Sequence, residues 1–378
     1  MAYSFFCFLI KISQSKLPIN EYFAMNRLNI LVTGGLGYIG SHTCSLLLEE
    51  GHNIFILDSL KNSRISVLKN INYLRNSLVN SQKGFIKFFR GDIRDINFIQ
   101  KIFQFSKNID NSIDIVFHFA GLKSVRESTL FPKEYWSVNV DGTKNLLKVM
   151  EQNECKNIIF SSSATVYGES SSEIIEENCQ IKPSNTYGET KAYAEKVLRN
   201  KYEINKDWKI INLRYFNPIG SHKSYLLGED LFINNENLFP VLCKVANNEI
   251  NYLEIFGNNW ETRDGTCIRD FIHILDIAKG HLSALKYSIQ NKGHFLSINL
   301  GTAKGTTILE LIKVFEEETN NKINYVFTNK RKGDVASYVA SNNLAKKYLN
   351  WEPTLELNEM CIDGWQWYLR NLNLSKQN

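Results

Sequence analysis

Asn29-Ile30-Leu31-Val32-Thr33-Gly34-Gly35-Leu36-Gly37-Tyr38-Ile39-Gly40 decides how this chain folds. Its first five residues form an apolar, β-branched run, which predicts a buried parallel strand. The glycines that follow let the backbone approach an anion and let helix and strand pack closely. Ser41 to Glu50 reads as the helix they open, Gly51 as its end, and Asn53-Ile54-Phe55-Ile56-Leu57 as the next strand. A helix N-terminus presents free N–H groups to a phosphate. With strand, helix, second strand and acid all in place, the glycines predict a dinucleotide site rather than an ordinary turn. The acid is Asp58, 18 residues past Gly40. A carboxylate there accepts bonds from the adenine ribose hydroxyls and repels a 2′-phosphate, which selects NAD over NADP.

Outward from this unit, residues 85–89, 113–119, 157–160 and 210–214 read as further short apolar strands, separated by helical stretches such as 140–151 and 187–202. That alternation predicts an α/β fold, a doubly wound parallel sheet of the Rossmann type. Ligands then bind at the carboxyl ends of the strands, where Asp92, Ala120-Gly121, Ser161 to Ser163 and Tyr215-Phe216-Asn217 fall. The Asn-, Lys- and Ser-rich stretch 70–83 reads as a tolerated surface excursion.

Composition narrows the class. The 378 residues suffice for two domains, and 43% hydrophobic with 22% charged residues describes a soluble globular protein. A net charge of +5 with no basic block gives no case for nucleic acid. Seven scattered cysteines without C-x-x-C predict a reduced, cytoplasmic protein, and seven histidines without H-E-x-x-H give no metal site. No stretch is long enough to span a bilayer, so no membrane partner is expected. Residues 1–25 read as an extension, either disordered or preceding a functional start at Met25. Phe5 to Ile10 lacks the basic segment that would make it a signal peptide.

Tyr187 and Lys191 are four residues apart and share one face of a helix. An ammonium beside a phenol favours the phenolate, which can take a proton from a sugar hydroxyl. His118, by contrast, reads as a core histidine, and Trp365 to Tyr368 as packing for a last amphipathic helix.

The glycine turn, Tyr187-x-x-x-Lys191 and Ser161-Ser162-Ser163 resemble the extended short-chain dehydrogenases/reductases. Within them the chain resembles the UDP-glucose 4-epimerases, through His118-Phe119-Ala120-Gly121-Leu122-Lys123, Phe160 to Gly168, Leu213 to Pro218, Asn237 to Pro240, Asp264 to His273 and Arg331 to Asp334. The resemblance runs from Arg27 to about Arg370. It implies that Tyr187 removes the proton of the sugar 4-hydroxyl while the C4 hydride passes to tightly held NAD. Lys191 then lowers the tyrosine pKa, Ser163 bonds the same sugar oxygen, and a 4-ketose turns over in the pocket.

Implied cofactor contacts are Gly34, Gly37, Tyr38, Ile39, Asp58, Asn62, Ser63, Asp92, Ile93, Phe119, Ala120, Gly121, Lys123, Asn139, Ser161, Tyr187, Lys191 and Tyr215. Implied contacts to the UDP-sugar are Lys123, Ser163, Tyr187, Phe216, Asn217, Asn237, Leu238, Arg269, Arg331, Asp334 and Tyr338. The forks of Arg269 and Arg331 suit a diphosphate. A bulky Tyr338 implies UDP-glucose and UDP-galactose as the main pair and poor use of N-acetylhexosamines. Lys332 stands where the family often carries an acid. A 4,6-dehydratase would carry Asp-Glu where this chain has Ala164-Thr165, whereas UDP-xylose and UDP-glucuronate 4-epimerases stay open alternatives. The resemblance also implies a homodimer, a NAD-binding domain over 26–218 and a smaller α/β UDP-sugar-binding domain over 219–378. The strand 295–300 belongs either to the smaller unit or back in the main sheet.

Overall fold

The computed structural model describes residues 27–78, 83–169, 173–230, 237–331 and 334–375. The expectations for residues 1–25 and for Lys332 lie outside the described residues. Seven strands build the central sheet: β1 (Asn29–Thr33), β2 (Asn53–Asp58), β3 (Ile86–Arg90), β4 (Ile115–His118), β5 (Asn157–Ser163), β6 (Lys209–Tyr215) and β7 (His294–Leu300). They lie in the order β7-β6-β5-β4-β1-β2-β3, every pair parallel. The order reverses between β1 and β4, and a crevice opens at such a switch point.

Near-continuous apolar runs are needed because both faces of the sheet are covered. Alternate residues of β1 serve opposite cores, Ile30 and Val32 on one face and Leu31 on the other. Each fully buried aliphatic side chain of this kind contributes roughly 1.5–3 kcal/mol relative to exposure. The strand beyond residue 218 returns to the main sheet: β7 pairs along all of β6, from His294 beside Lys209 to Leu300 beside Tyr215.

The stretch 70–83 departs from its reading as an excursion. It is helical as far as Ser77, because the helix Ile65–Ser77 buries Ile71 and packs Leu74 against the core. The helix expected from residue 140 starts earlier, with a π-helical turn, Ser137–Asp141, leading into Gly142–Gln152. A Cβ at Gly142 would come 2.6 Å from Ile93 Cγ2, so this helix runs close under the loop after β3.

Over the carboxyl ends of the strands lies a second body of structure. Its helices Leu238–Ala246, Ile308–Thr319 and Leu357–Ser375 accompany short sheets, one of which pairs Phe271–His273 with Asn217–Ile219. Its core joins Phe239, Leu242, Phe315, Trp365 and Tyr368. As expected, Trp365 and Tyr368 pack the last helix, their rings stacked 5.5 Å apart. No helix among the described residues is long and apolar enough to cross a membrane.

Candidate functional site

At the end of β1 the chain turns through Gly34, with φ +70°. A Cβ there would fall 2.6 Å from Ala120 N, and one at Gly40 would fall 2.3 Å from the Gly34 carbonyl. Only glycine lets these backbones meet. The helix Tyr38–Glu49 starts at Gly37 with no side chain capping it, which leaves its first N–H groups to a ligand. Asp58, buried at the end of β2, accepts from Leu36 N at 3.0 Å, Leu60 N at 2.9 Å and Ser63 Oγ at 2.8 Å. The carboxylate thus shapes the glycine loop from the place where a ribose would lie. The uncapped helix start, close-packed glycines and fixed carboxylate fit a dinucleotide.

A cavity of about 1060 Å³ runs from this turn across the strand ends. Every residue named from the sequence as a contact lines it, except Asn139, Arg269, Asp334 and Tyr338. Asn139 is buried, its amide bonding Leu122 N and O at 2.8 and 3.0 Å and Thr190 Oγ1 at 3.0 Å. It clamps the loop that carries Ala120 and Lys123 instead of facing the cavity. Arg269 donates to the carbonyls of Ile268 and Val335 and lies 3.7 Å from Asp334, so its fork is turned into its own wall. Tyr338 donates to the Ala164 carbonyl and backs Phe216, ring centres 5.5 Å apart. Arg331 does line the cavity, its guanidinium 3.4 Å from the centre of the Phe256 ring. His118 is the core histidine expected, between Thr33 Oγ1 at 2.7 Å and Thr143 Oγ1 at 2.9 Å.

Tyr187 enters from the helix Thr186–Ile204, which Asn185 caps by accepting Gly188 N at 2.9 Å. A Cβ at Gly188 would be 2.7 Å from the Thr165 carbonyl, so the helix presses on the loop after β5. That approach brings the Tyr187 phenol close to Ser163, and both line the cavity. One turn on, the Lys191 ammonium donates to the Ser161 carbonyl at 2.7 Å and stands 4.9 Å over Phe160, 6.0 Å from the centre of the Tyr187 ring. Burial pushes the Tyr187 phenol up to about 12, with Ser163 acting the other way. Lys191 is not among the groups that act on the phenol; its ammonium is committed to the Ser161 carbonyl. Burial also brings Lys191 down to about 8, opposed by Glu195.

Beneath these groups runs a buried network that reading the sequence missed. Arg214 forks onto Glu195 at 2.9 and 2.6 Å and donates to Tyr167 Oη at 2.8 Å, while Ser162 Oγ donates to Glu195 at 2.5 Å. The spacing of Glu195, four residues past Lys191, was its one signal. Glu229 and Thr165 also line the cavity unannounced, as does Trp367, which had been expected only to pack its helix. Thr165 Oγ1 donates to Ser163 Oγ at 3.0 Å, and Ala164 is buried, so no acid follows the serines.

Known proteins resemble this chain over most of its length. The family model described as GDP-mannose 4,6 dehydratase matches residues 31–363. The UDP-glucose 4-epimerase of Bacillus subtilis (strain 168) is 40% identical over 344 residues, which cover 91% of this chain and 98% of that protein. The bifunctional protein GAL10 of Pachysolen tannophilus is 42% identical over 348 residues, 90% of this chain, and the chain spans 49% of that longer protein. Among solved structures, a UDP-glucose 4-epimerase from Stenotrophomonas maltophila with bound NAD and formylated UDP-arabinopyranose superposes with a TM-score of 0.86 at 37% identity. That match covers 92% of this chain and 100% of the other. A glycine cradle with its acid, a serine-tyrosine-lysine set and close likeness over the whole length of an epimerase converge: the chain belongs to the UDP-glucose 4-epimerases, within the extended short-chain dehydrogenase/reductase family.

Proposed function

We propose that this chain reversibly inverts C4 of UDP-glucose and UDP-galactose through a 4-ketose, holding NAD throughout the cycle. The observation that carries this reading is the meeting of Ser163, Tyr187 and Lys191 in one cavity with the glycine turn and Asp58. Gly34, Gly37 and Ile39 would hold the pyrophosphate, Asp58 the adenine ribose and Lys191 the nicotinamide ribose. When bound, the nicotinamide accepts the C4 hydride and returns it to the opposite face of the sugar. With the positive charge of bound NAD favouring its phenolate, Tyr187 Oη would take the proton of the 4-hydroxyl, and Ser163, bonded to the same oxygen, would ease its transfer in both directions. Arg331 and Asn217 face the space for the diphosphate, with Arg269 swinging from its wall to join them.

The bound NAD and UDP-sugar of the Stenotrophomonas maltophila enzyme support the same ligands here. Elimination of water from the sugar needs an acid after the serines, and Ala164-Thr165 supply none. Tyr338, wedged behind Phe216, leaves that wall of the sugar site rigid and bulky, so N-acetylhexosamines are poor substrates. Equal turnover of UDP-N-acetylglucosamine would overturn that preference.

A homodimer fits the apolar surface at Val125, Leu130, Phe131 and Tyr193, on helices that pack side by side; a monomeric mass by light scattering would refute it. The cytoplasm fits the cysteines, of which all six described ones are unpaired. The main reading is tested by incubating purified protein with UDP-galactose and no added NAD. UDP-glucose is the product expected, and a 4-keto-6-deoxy product or no turnover would overturn the reading.

A further inference from the structure

We infer that Glu229 is a positioning residue that ties the cofactor side of the cavity to the sugar-nucleotide side, an inference that rests on the epimerase reading above. One carboxylate oxygen, Oε1, accepts from Lys123 Nζ at 2.7 Å and from Asn237 Nδ2 at 2.9 Å. Lys123 stands on the loop after β4, beside the glycine turn. Asn237 immediately precedes the helix Leu238–Ala246 of the second body of structure. A single atom therefore joins a loop of the main sheet to a helix of the second body, both of which line the cavity.

The carboxylate is itself held in place. The Glu229 backbone carbonyl accepts from Trp367 Nε1 at 2.8 Å, and the Trp367 ring lies so close that a Cβ at Gly228 would be 2.5 Å from its Cγ. The Glu229 side chain is 12% exposed, whereas that of Lys123 is 56% exposed. Without its partner, that flexible lysine would have to be ordered when ligand binds.

A carboxylate lining a cavity built for diphosphates repels its own ligands. Its place here is accounted for by what it organises. Glu229 neutralises Lys123, fixes the lysine's direction and holds the Asn237 amide at the sugar-nucleotide wall. Because both donors share one oxygen, ordering either one favours the order of the other, which links the two binding events. Removing the oxygen loosens Asn237 without touching Tyr187, Lys191 or Ser163.

The test uses purified holoprotein, with UDP titrated calorimetrically and KM and kcat measured for UDP-galactose. Glu229→Ala is expected to raise the Kd for UDP and the KM roughly tenfold, as the loss of a charge-assisted hydrogen bond does, with kcat changed by less than about threefold. Glu229→Gln keeps an acceptor oxygen at the same reach but not the charge, so it recovers part of the loss and falls between the alanine variant and the parent. Glu229→Asp keeps the charge but falls short by one methylene, so it behaves like the alanine variant and serves if that variant fails to fold. Asn237→Ala combined with Glu229→Ala adds little to either alone. Unchanged UDP affinity in both the Ala and Asp variants, no recovery with Gln, or additive losses would each overturn the inference. A parent protein that binds UDP but turns over no sugar refutes the epimerase reading, and the UDP titrations still decide the role of Glu229.

Discussion

Lys191 and Ser161 are joined across 30 residues by a 2.7 Å bond from the ammonium to the carbonyl. The contact pins the helix of the proposed base to the end of β5, the strand that presents Ser163. It also sets the distance from Lys191 to the phenol, since the ammonium leans on the strand rather than on Tyr187.

Lys191→Met removes both the pin and the charge. Turnover of UDP-galactose is expected to fall by about 10²-fold or more, the scale of a lost contribution to proton transfer. A coupled assay for UDP-glucose measures it, and a variant within threefold of the parent would show that the lysine is a bystander.

Tyr187→Phe deletes the phenolic oxygen and little else. A fall in kcat on the order of 10²–10⁴ is expected, with the content of NAD per chain unchanged by absorbance after denaturation. Normal epimerisation would mean that another group removes the proton.

Glu195→Ala strands the Arg214 guanidinium, which is buried with its partner side chain at 4% and 9% exposure. Breaking one side of such a pair costs about 3–5 kcal/mol. Urea unfolding checks this, and a midpoint equal to that of the parent would contradict the network's structural weight.

Gly40→Ala tests the dinucleotide turn. Its Cβ would meet the Gly34 carbonyl at 2.3 Å, against backbone that cannot yield cheaply. A loss of at least about 2 kcal/mol is expected together with loss of retained NAD. A stable variant with full NAD content would show that the turn has more room than the structure gives it.

Stability should fall as the pH drops below about 6. Burial lowers His42 and His118 to about 3 and His52 and His281 to about 4. Their folded values lie below the ordinary 6.5, so on acidification the unfolded chain takes up these protons first. Their stabilisation is present above 6.5 and is lost as the pH falls toward 4. Asp270, raised by burial to about 6, acts in the opposite sense: its contribution is present below its ordinary 3.8 and is lost as the pH rises through 6. Burial also lowers His222 and His294 and raises Glu49, Asp114 and Glu177; the histidines, whose ordinary value lies in this window, set the sign, so stability falls between pH 6 and 5. Urea midpoints at pH 5, 6, 7 and 8 check the sign, and a midpoint that rises toward pH 5 would contradict it.

Much of the site was legible because its chemistry is local in sequence. The glycine turn, Asp58 and the Tyr187–Lys191 spacing each depend on short stretches whose backbone geometry follows from residue type. The helical course of 65–77 was not legible: its polar composition hid Ile71, whose burial is supplied by a core built from distant strands. Glu229 was missed because Lys123 lies 106 residues away from it in the chain. Trp367 reaches it from a further 138 residues along. Neither pairing leaves a pattern in spacing. Arg269 and Tyr338 show the converse, as matched residues whose side chains are drawn to nearby carbonyls.

Residue order by itself determined the βαβ opening, the parallel class of the sheet and the placing of Tyr187 and Lys191 on one helix face, because strand periodicity, glycine freedom and helical spacing are properties of neighbours along the chain. Tertiary structure decided the rest. It placed β7 at the edge of the sheet, held the Tyr187 phenol high and gave Lys123 and Asn237 one shared oxygen. Burial, charge pairing and hydrogen-bond competition depend on which distant groups arrive in the same volume, and only the folded chain sets that.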